Sequence, residues 1–198
     1  MHATAFLCLL LPVLVLSACT DPSTFPNGTA SHFHHFSECG PGNQTIRVMD
    51  IRLPRQNGAP REKTATYPLD ASLPIDLLMP ISNSGSKIKN LLIDLAVYLW
   101  NPVENSDSCF WELQDTYGMT DDLNGCEMLN CPLTTGESPE NRLMMDISYA
   151  ASFIETGKLY QLMFTFKNGD KPGDVDASVF KAPIVGCTVF QTLLNGEQ

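Results

Sequence analysis

The stretch IKNLLIDLAVYLW, residues 88–100, decides the fold class. Leu91, Ile93, Leu95, Val97 and Leu99 share one face of an extended chain, with Asp94, Ala96 and Tyr98 between them. A period of two marks a strand with one buried face, whereas a helix repeats at 3.6 residues. Apolar count alone also suits a helix, but the β-branched and aromatic content and the clean alternation favour a strand. Outward from this stretch the pattern recurs. Residues 143–149 alternate Leu143, Met145, Ile147 and Tyr149. Residues 159–167 (LYQLMFTFK) alternate Tyr160, Leu162, Phe164 and Phe166. Residues 179–194 read as a final strand interrupted by Pro183 and Gly186. Upstream, residues 73–81 (LPIDLLMPI) put Leu73, Ile75, Leu77, Met79 and Ile81 on one face, with Pro74 and Pro80 marking an edge strand or its ends. Residues 45–53 (TIRVMDIRL) mix β-branched and polar residues. Asn57-Gly58, Asn124-Gly125 and Asn168-Gly169 supply turns between the runs. Period-two runs punctuated by turns predict an all-β sandwich. A helix is expected only in the more polar segment 108–123.

The chain has 198 residues, room for one domain with a single core. Its 43% hydrophobic and 17% charged content excludes a disordered chain. Lys and Arg number 12 against 22 Asp and Glu, a net charge of −10. That deficit of cations excludes a nucleic-acid partner and a polybasic membrane anchor. Any membrane contact must be apolar and local.

Residues 1–18 read as a secretory signal peptide. The apolar run 5–16 has the length of an h-region and is too short to span a bilayer, and Ser17 and Ala18 are small residues suited to cleavage. Leu16-Ser17-Ala18-Cys19 also fits a bacterial lipobox, and the glycosylatable character of the rest favours simple cleavage. Residues 19–32, rich in Pro, Ser, Thr, Gly and Asn, read as a loose lead-in, and residues 33–198 as the folded domain. Asn27-Gly28-Thr29 and Asn43-Gln44-Thr45 are glycosylation acceptors. Cys8 leaves with the signal. Cys19, Cys39, Cys109, Cys126, Cys131 and Cys187 then enter an oxidising compartment, where disulfides are the default. Joining Cys39 to Cys187 would close a loop of about 150 residues and stabilise by roughly 4–5 kcal/mol. A Cys126–Cys131 bridge would staple a turn. Cys109 is left over, with three states open: paired with Cys19, free, or displacing Cys126 as the partner of Cys131.

Catalytic patterns are scarce. After the signal, the histidines are His32, His34 and His35 alone, at the start of the domain, where they read as solvent-facing rather than as a metal site with Glu38. The chain has no Gly-x-Ser-x-Gly elbow, Walker loop or His-Glu-x-x-His helix. Asp121-Asp122 reads as a solvated loop, not an acid–base pair. The expectation is a non-enzyme without cofactor or metal. The apolar residues are more suggestive. The segment 100–129 gathers Trp100, Phe110, Trp111, Tyr117, Met119, Leu123 and Met128, either as core plugs or as a rim that touches lipid.

Three sets of residues resemble the ML lipid-recognition superfamily of secreted β-sandwiches that hold lipid between their sheets. They are Phe36-Ser37-Glu38-Cys39 with Ile46-Arg47, Gly125-Cys126 with Asn130-Cys131-Pro132-Leu133 and Gly136, and Thr156-Gly157-Lys158-Leu159-Tyr160 with Val185-Gly186-Cys187. The resemblance spans roughly residues 33–194. It implies an immunoglobulin-like two-sheet β-sandwich opened into a lipid-binding cup, and a Cys39–Cys187 disulfide. The superfamily's sterol-transfer branch implies Cys126–Cys131, and its ganglioside-activator branch implies Cys109–Cys131. Leu77, Ile93, Leu95, Val97, Leu99, Met145, Ile147, Tyr160, Leu162, Phe164 and Phe166 are expected to line the pocket. Trp100, Phe110, Trp111 and Met119 are expected to form a mobile rim at the bilayer. The implied ligand is a glycolipid, phospholipid or sterol, taken transiently from a membrane surface in the secretory path or lysosomal lumen. In the ganglioside-activator branch the lipid would be presented to a lysosomal hydrolase. Acidity would ease approach to anionic membranes, since Asp and Glu titrate near pH 4. Two other classes compete: an immunoglobulin-like protein-binding module with a closed core, and an extracellular hydrolase using His32, His34 and His35.

Overall fold

The computed structural model describes residues 34–36, 39, 40, 42–53, 68–104, 106, 108–173, 176 and 180–196. The signal peptide, the lead-in, Asn27, His32 and Cys19 lie outside the described residues. The strands in chain order are β1 (His34–Phe36), β2 (Ile46–Val48), β3 (Leu69–Asp70), β4 (Ile75–Leu78), β5 (Ile81–Asn83), β6 (Leu91–Pro102), β7 (Cys109–Leu113) and β8 (Leu123–Asn124). A short helix α1 (Gly125–Met128), β9 (Gly136–Ser138) and β10 (Arg142–Met145) follow, then a 3₁₀-helix (Ser148–Phe153), β11 (Lys158–Asn168) and β12 (Ile184–Asn195).

The strands form a large sheet ordered β7-β6-β11-β12-β2-β5-β9 and a small sheet of β10 and β4. β1 and β3 also pair with β12, and β8 with β6. One apolar cluster takes Ile75, Leu77, Leu143 and Met145 from the small sheet and Ile93, Leu95, Leu162, Phe164 and Phe190 from the large one. Two sheets sharing one core make an all-β fold consistent with a sandwich. β6 owes its place to the alternation that names it: Leu91, Ile93, Leu95 and Leu99 are buried, and the residues between them are only partly so. β11 is antiparallel to β6 on one side and to β12 on the other. That central position explains why Leu162, Phe164 and Phe166 are nearly inaccessible. Phe164 lies against Phe190 of β12, with centroids 5.7 Å apart and rings within 9° of parallel.

Four expectations need correction. Residues 73–81 are not one strand: β4 pairs with β10, while β5 pairs with β2 and β9. The break falls at Met79-Pro80, where proline has no N–H for the ladder and the chain changes sheets. The alternation across 143–149 stops being a strand at Met145. Asp146 accepts a hydrogen bond from the Ser148 amide at 3.0 Å and turns the chain into the 3₁₀-helix. Segment 108–123 is not helical. Its start pairs with β6, and its loop holds Tyr117, Gly118 and Asp122 at positive φ, conformations that no right-handed helix contains. The last strand starts after Pro183 rather than at 179, which lies outside the described residues.

Cys39–Cys187 and Cys126–Cys131 are disulfides, separated by 148 and 5 residues. Cys109 is also disulfide-bonded, so neither a free thiol nor displacement of Cys126 describes it. Such bonds fit an oxidising environment. His34 and His35 lie in β1, whose backbone pairs with β12.

Candidate functional site

β6, next to the terminal strand β7, forms the side of the large sheet from which the site is built. β7 pairs with its far end, from Tyr98 to Pro102, and β8 with Leu92 and Ile93. Between those contacts the β7–β8 loop bridges the gap. The Gln114 amide donates to the Val97 carbonyl, and the Leu95 amide donates to the Thr120 carbonyl at 2.9 Å. α1 follows at once, capped by Asn124. The Asn124 side chain accepts from the Cys126 amide at 3.1 Å and donates to Glu127 Oε1 at 2.9 Å.

This side faces β10 and the start of the 3₁₀-helix across an open cleft of about 300 Å³. Leu95, Leu123 and Met128 form the apolar wall on the β6 side; Met144, Met145 and Ile147 form the opposite wall. Thr120, Glu127, Asp146 and Tyr149 complete the lining. Met144 and Tyr149 are more than half exposed, at 54% and 55%, so the cleft has an apolar lip in contact with water. Further exposed apolar side chains follow in the two flanking segments: Tyr117 and Met119 in the β7–β8 loop, and Phe153 in the 3₁₀-helix.

Two electrostatic features accompany the site: a lysine–carboxylate tie on the face of the large sheet opposite Leu95, and a carboxylate at the lip. Lys167 of β11 lies 2.6 Å from Asp94 Oδ2 and 2.7 Å from Asp122 Oδ1, and the Asp122 amide donates to Asp94 at 2.8 Å. This tie holds the end of the β7–β8 loop to the sheet. Partial burial of the Lys167 ammonium works against its charge, but the two carboxylates outweigh it and raise its pKa. At the lip, the Ser148 hydroxyl and amide stabilise the Asp146 carboxylate and lower its pKa. Among the described residues, no cluster of three or more His, Cys, Asp or Glu side chains is gathered for a metal.

Of the residues expected to line a pocket, Leu95, Met145 and Ile147 do so. Leu77, Ile93, Leu99, Tyr160, Leu162, Phe164 and Phe166 are buried in the shared core, and Val97 packs against it. Tyr160 sits deep enough that desolvation raises its phenol pKa, with the hydroxyl accepting from the Glu155 amide at 2.8 Å. Of the expected rim, Met119 adjoins the cleft residue Thr120 in the loop. Trp100 and Trp111 are cross-strand partners with rings 4.8 Å apart. Trp100 alternates with inward Leu99 and so points to the other face of the sheet from Leu95. Phe110, 43% exposed, lies on β7 outside the cleft lining. Asn43 is exposed, as a glycosylation acceptor must be. The sequence reading missed Thr120, Glu127, Met144 and Asp146 as cleft residues; it named Leu123 and Met128 only as core plugs or rim, and Tyr149 only within an alternating strand. The usable signal was the Met144-Met145 doublet where an alternating strand ends, because methionine suits adaptable apolar surfaces.

Comparison of the chain with models of known protein families and with curated proteins finds no match.

Proposed function

We propose that this protein is a non-enzymatic lipid carrier of the ML type, an immunoglobulin-like sandwich whose two sheets part at the β6–β10 edge to admit a hydrocarbon chain. The open cleft with its exposed Met144 and Tyr149 lip is the observation that carries the reading. A cleft of about 300 Å³ stands at the small end of ligand sites and suits one chain better than two. Burying six methylenes there would hold that part of the chain out of water by about 5 kcal/mol, so that a lipid off the membrane stays with the carrier without covalent chemistry. Met119, Tyr117 and Phe153 would meet the bilayer, and the disulfides support a secreted or lysosomal setting. The carrier would hand its lipid to a membrane or present it to a hydrolase.

Native mass spectrometry of protein made through its own secretion route tests this. The expected result is a lipid adduct that organic solvent removes, together with transfer of a fluorescent lipid between vesicles. A clean apo mass with no transfer defeats the proposal. That outcome would favour a protein-binding module instead, a reading supported by the half-buried Trp100–Trp111 pair beside exposed Leu113 on edge strand β7.

A further inference from the structure

We infer that the cleft selects its ligand by charge, taking a single-chain amphiphile with a protonated amine in preference to a fatty acid of the same length. The inference rests on the lipid-carrier reading and adds the chemistry of the head group.

A chain buried between Leu95 and Met145 brings its polar end to the lip, where the lining carries Glu127 and Asp146 and no Lys, Arg or His. Among the described residues, neither carboxylate is neutralised by an ion pair. Glu127 receives a neutral amide hydrogen bond from Asn124 on Oε1, and Asp146 receives the Ser148 amide on Oδ1. The cations on neighbouring strands are committed elsewhere. Arg142, earlier on β10, makes a two-pronged pair with buried Asp76, and Lys167 is held by Asp94 and Asp122. An ammonium at the lip therefore meets two carboxylates with no competing cation beside them among the described residues. A fatty-acid carboxylate or a phosphate meets like charge there. The lowered pKa of Asp146 keeps that charge in place as the medium turns acidic. Uncharged hydroxyl heads fall between the two, because they can donate to the carboxylates without Coulomb gain.

The experiment titrates the full chain with decylamine, decanol and decanoate by calorimetry at neutral pH. At about 0.15 M salt, the general pull of an acidic protein on cations is screened beyond roughly 8 Å. The expected order is amine, alcohol, acid, with about tenfold between the first and last from two exposed carboxylates. In Glu127→Gln/Asp146→Asn the amine-to-acid ratio should fall to within about twofold of unity. Glu137→Gln/Glu140→Gln removes the same net charge at exposed sites away from the cleft and should keep the order. Decanoate binding as tightly as decylamine, or an order that survives in Glu127→Gln/Asp146→Asn, overturns the inference while decanol binding still supports the carrier. Failure of decanol to bind removes the carrier reading, and the inference with it.

Discussion

The two fully described disulfides should differ sharply in what they contribute, because they close loops of very different length. Cys39–Cys187 spans 148 residues and ties the segment before β2 to the first part of β12; Cys126–Cys131 spans 5 and closes only the turn formed by α1 and the residues after it. In the chain-entropy treatment, the cross-link removes about 17 cal/mol/K from the unfolded chain in the first case and about 7 in the second. At 25 °C these become about 5 and about 2 kcal/mol. The test compares Cys39→Ala/Cys187→Ala with Cys126→Ala/Cys131→Ala, each removing both thiols so that none is left to exchange with the Cys109 disulfide. Urea unfolding under non-reducing conditions reads the difference. With a slope of about 2 kcal/mol/M, the long-loop variant should lose roughly 2.5 M of midpoint and the short-loop variant about 1 M. Cys187 is also buried, so lost packing adds to the long-loop effect rather than cancelling it. Equal losses, or a larger loss from the short loop, would refute the entropic reasoning and place the stabilisation in the folded-state contacts of the turn.

Other outcomes follow from particular contacts. At the single parallel pairing where β12 meets β2, a Cβ on Gly186 would sit 2.6 Å from the Ile46 carbonyl oxygen. Gly186→Ala should therefore cost about 2 kcal/mol and lower Tm by about 4–8 °C, and an unchanged melting curve would contradict that close approach. Ile147→Trp fills the cleft from its rim; it should abolish lipid co-purification while shifting stability by less than about 1.5 kcal/mol, and retained lipid would place the ligand elsewhere. The raised pKa of Lys167 means that its ion pairs stabilise fully below the ordinary value of 10.5 and are lost as pH rises through the higher folded value. The gap in urea midpoint between wild type and Lys167→Met should be constant from neutral pH to about pH 10 and close above it; a gap that closes between pH 8 and about 10 would contradict the assignment.

Much of the fold was legible because strands with one buried face write their pairing partners into a two-residue rhythm. β6 and β11 are the clear cases, and their inward residues were readable one by one. Proline also spoke locally, bounding strands at positions 80 and 183, although its effect at Pro80 was larger than a boundary. The site was less legible. Alternation shows that Leu95 and Phe164 both point inward, but not that Phe164 meets Phe190 whereas Leu95 lines the cleft. Thr120, Glu127 and Met128 come from a loop and a one-turn helix that carry no period at all. Trp100 and Trp111 drew attention as aromatic residues, yet their place on the far face of the sheet follows from strand parity and from β7 pairing with β6.

By itself, the amino-acid order determined the strand-rich character of the chain, the inward face of each long strand and the supply of cysteines for cross-links. These are local properties, set by side-chain size, backbone freedom and spacing along a few residues. Which strands share a sheet, where an open cleft lies beside β6 and β10, and which carboxylates stand at that cleft were decided only by tertiary structure. Such features join residues dozens of positions apart, and they arise from how whole faces fill or fail to fill the space between them.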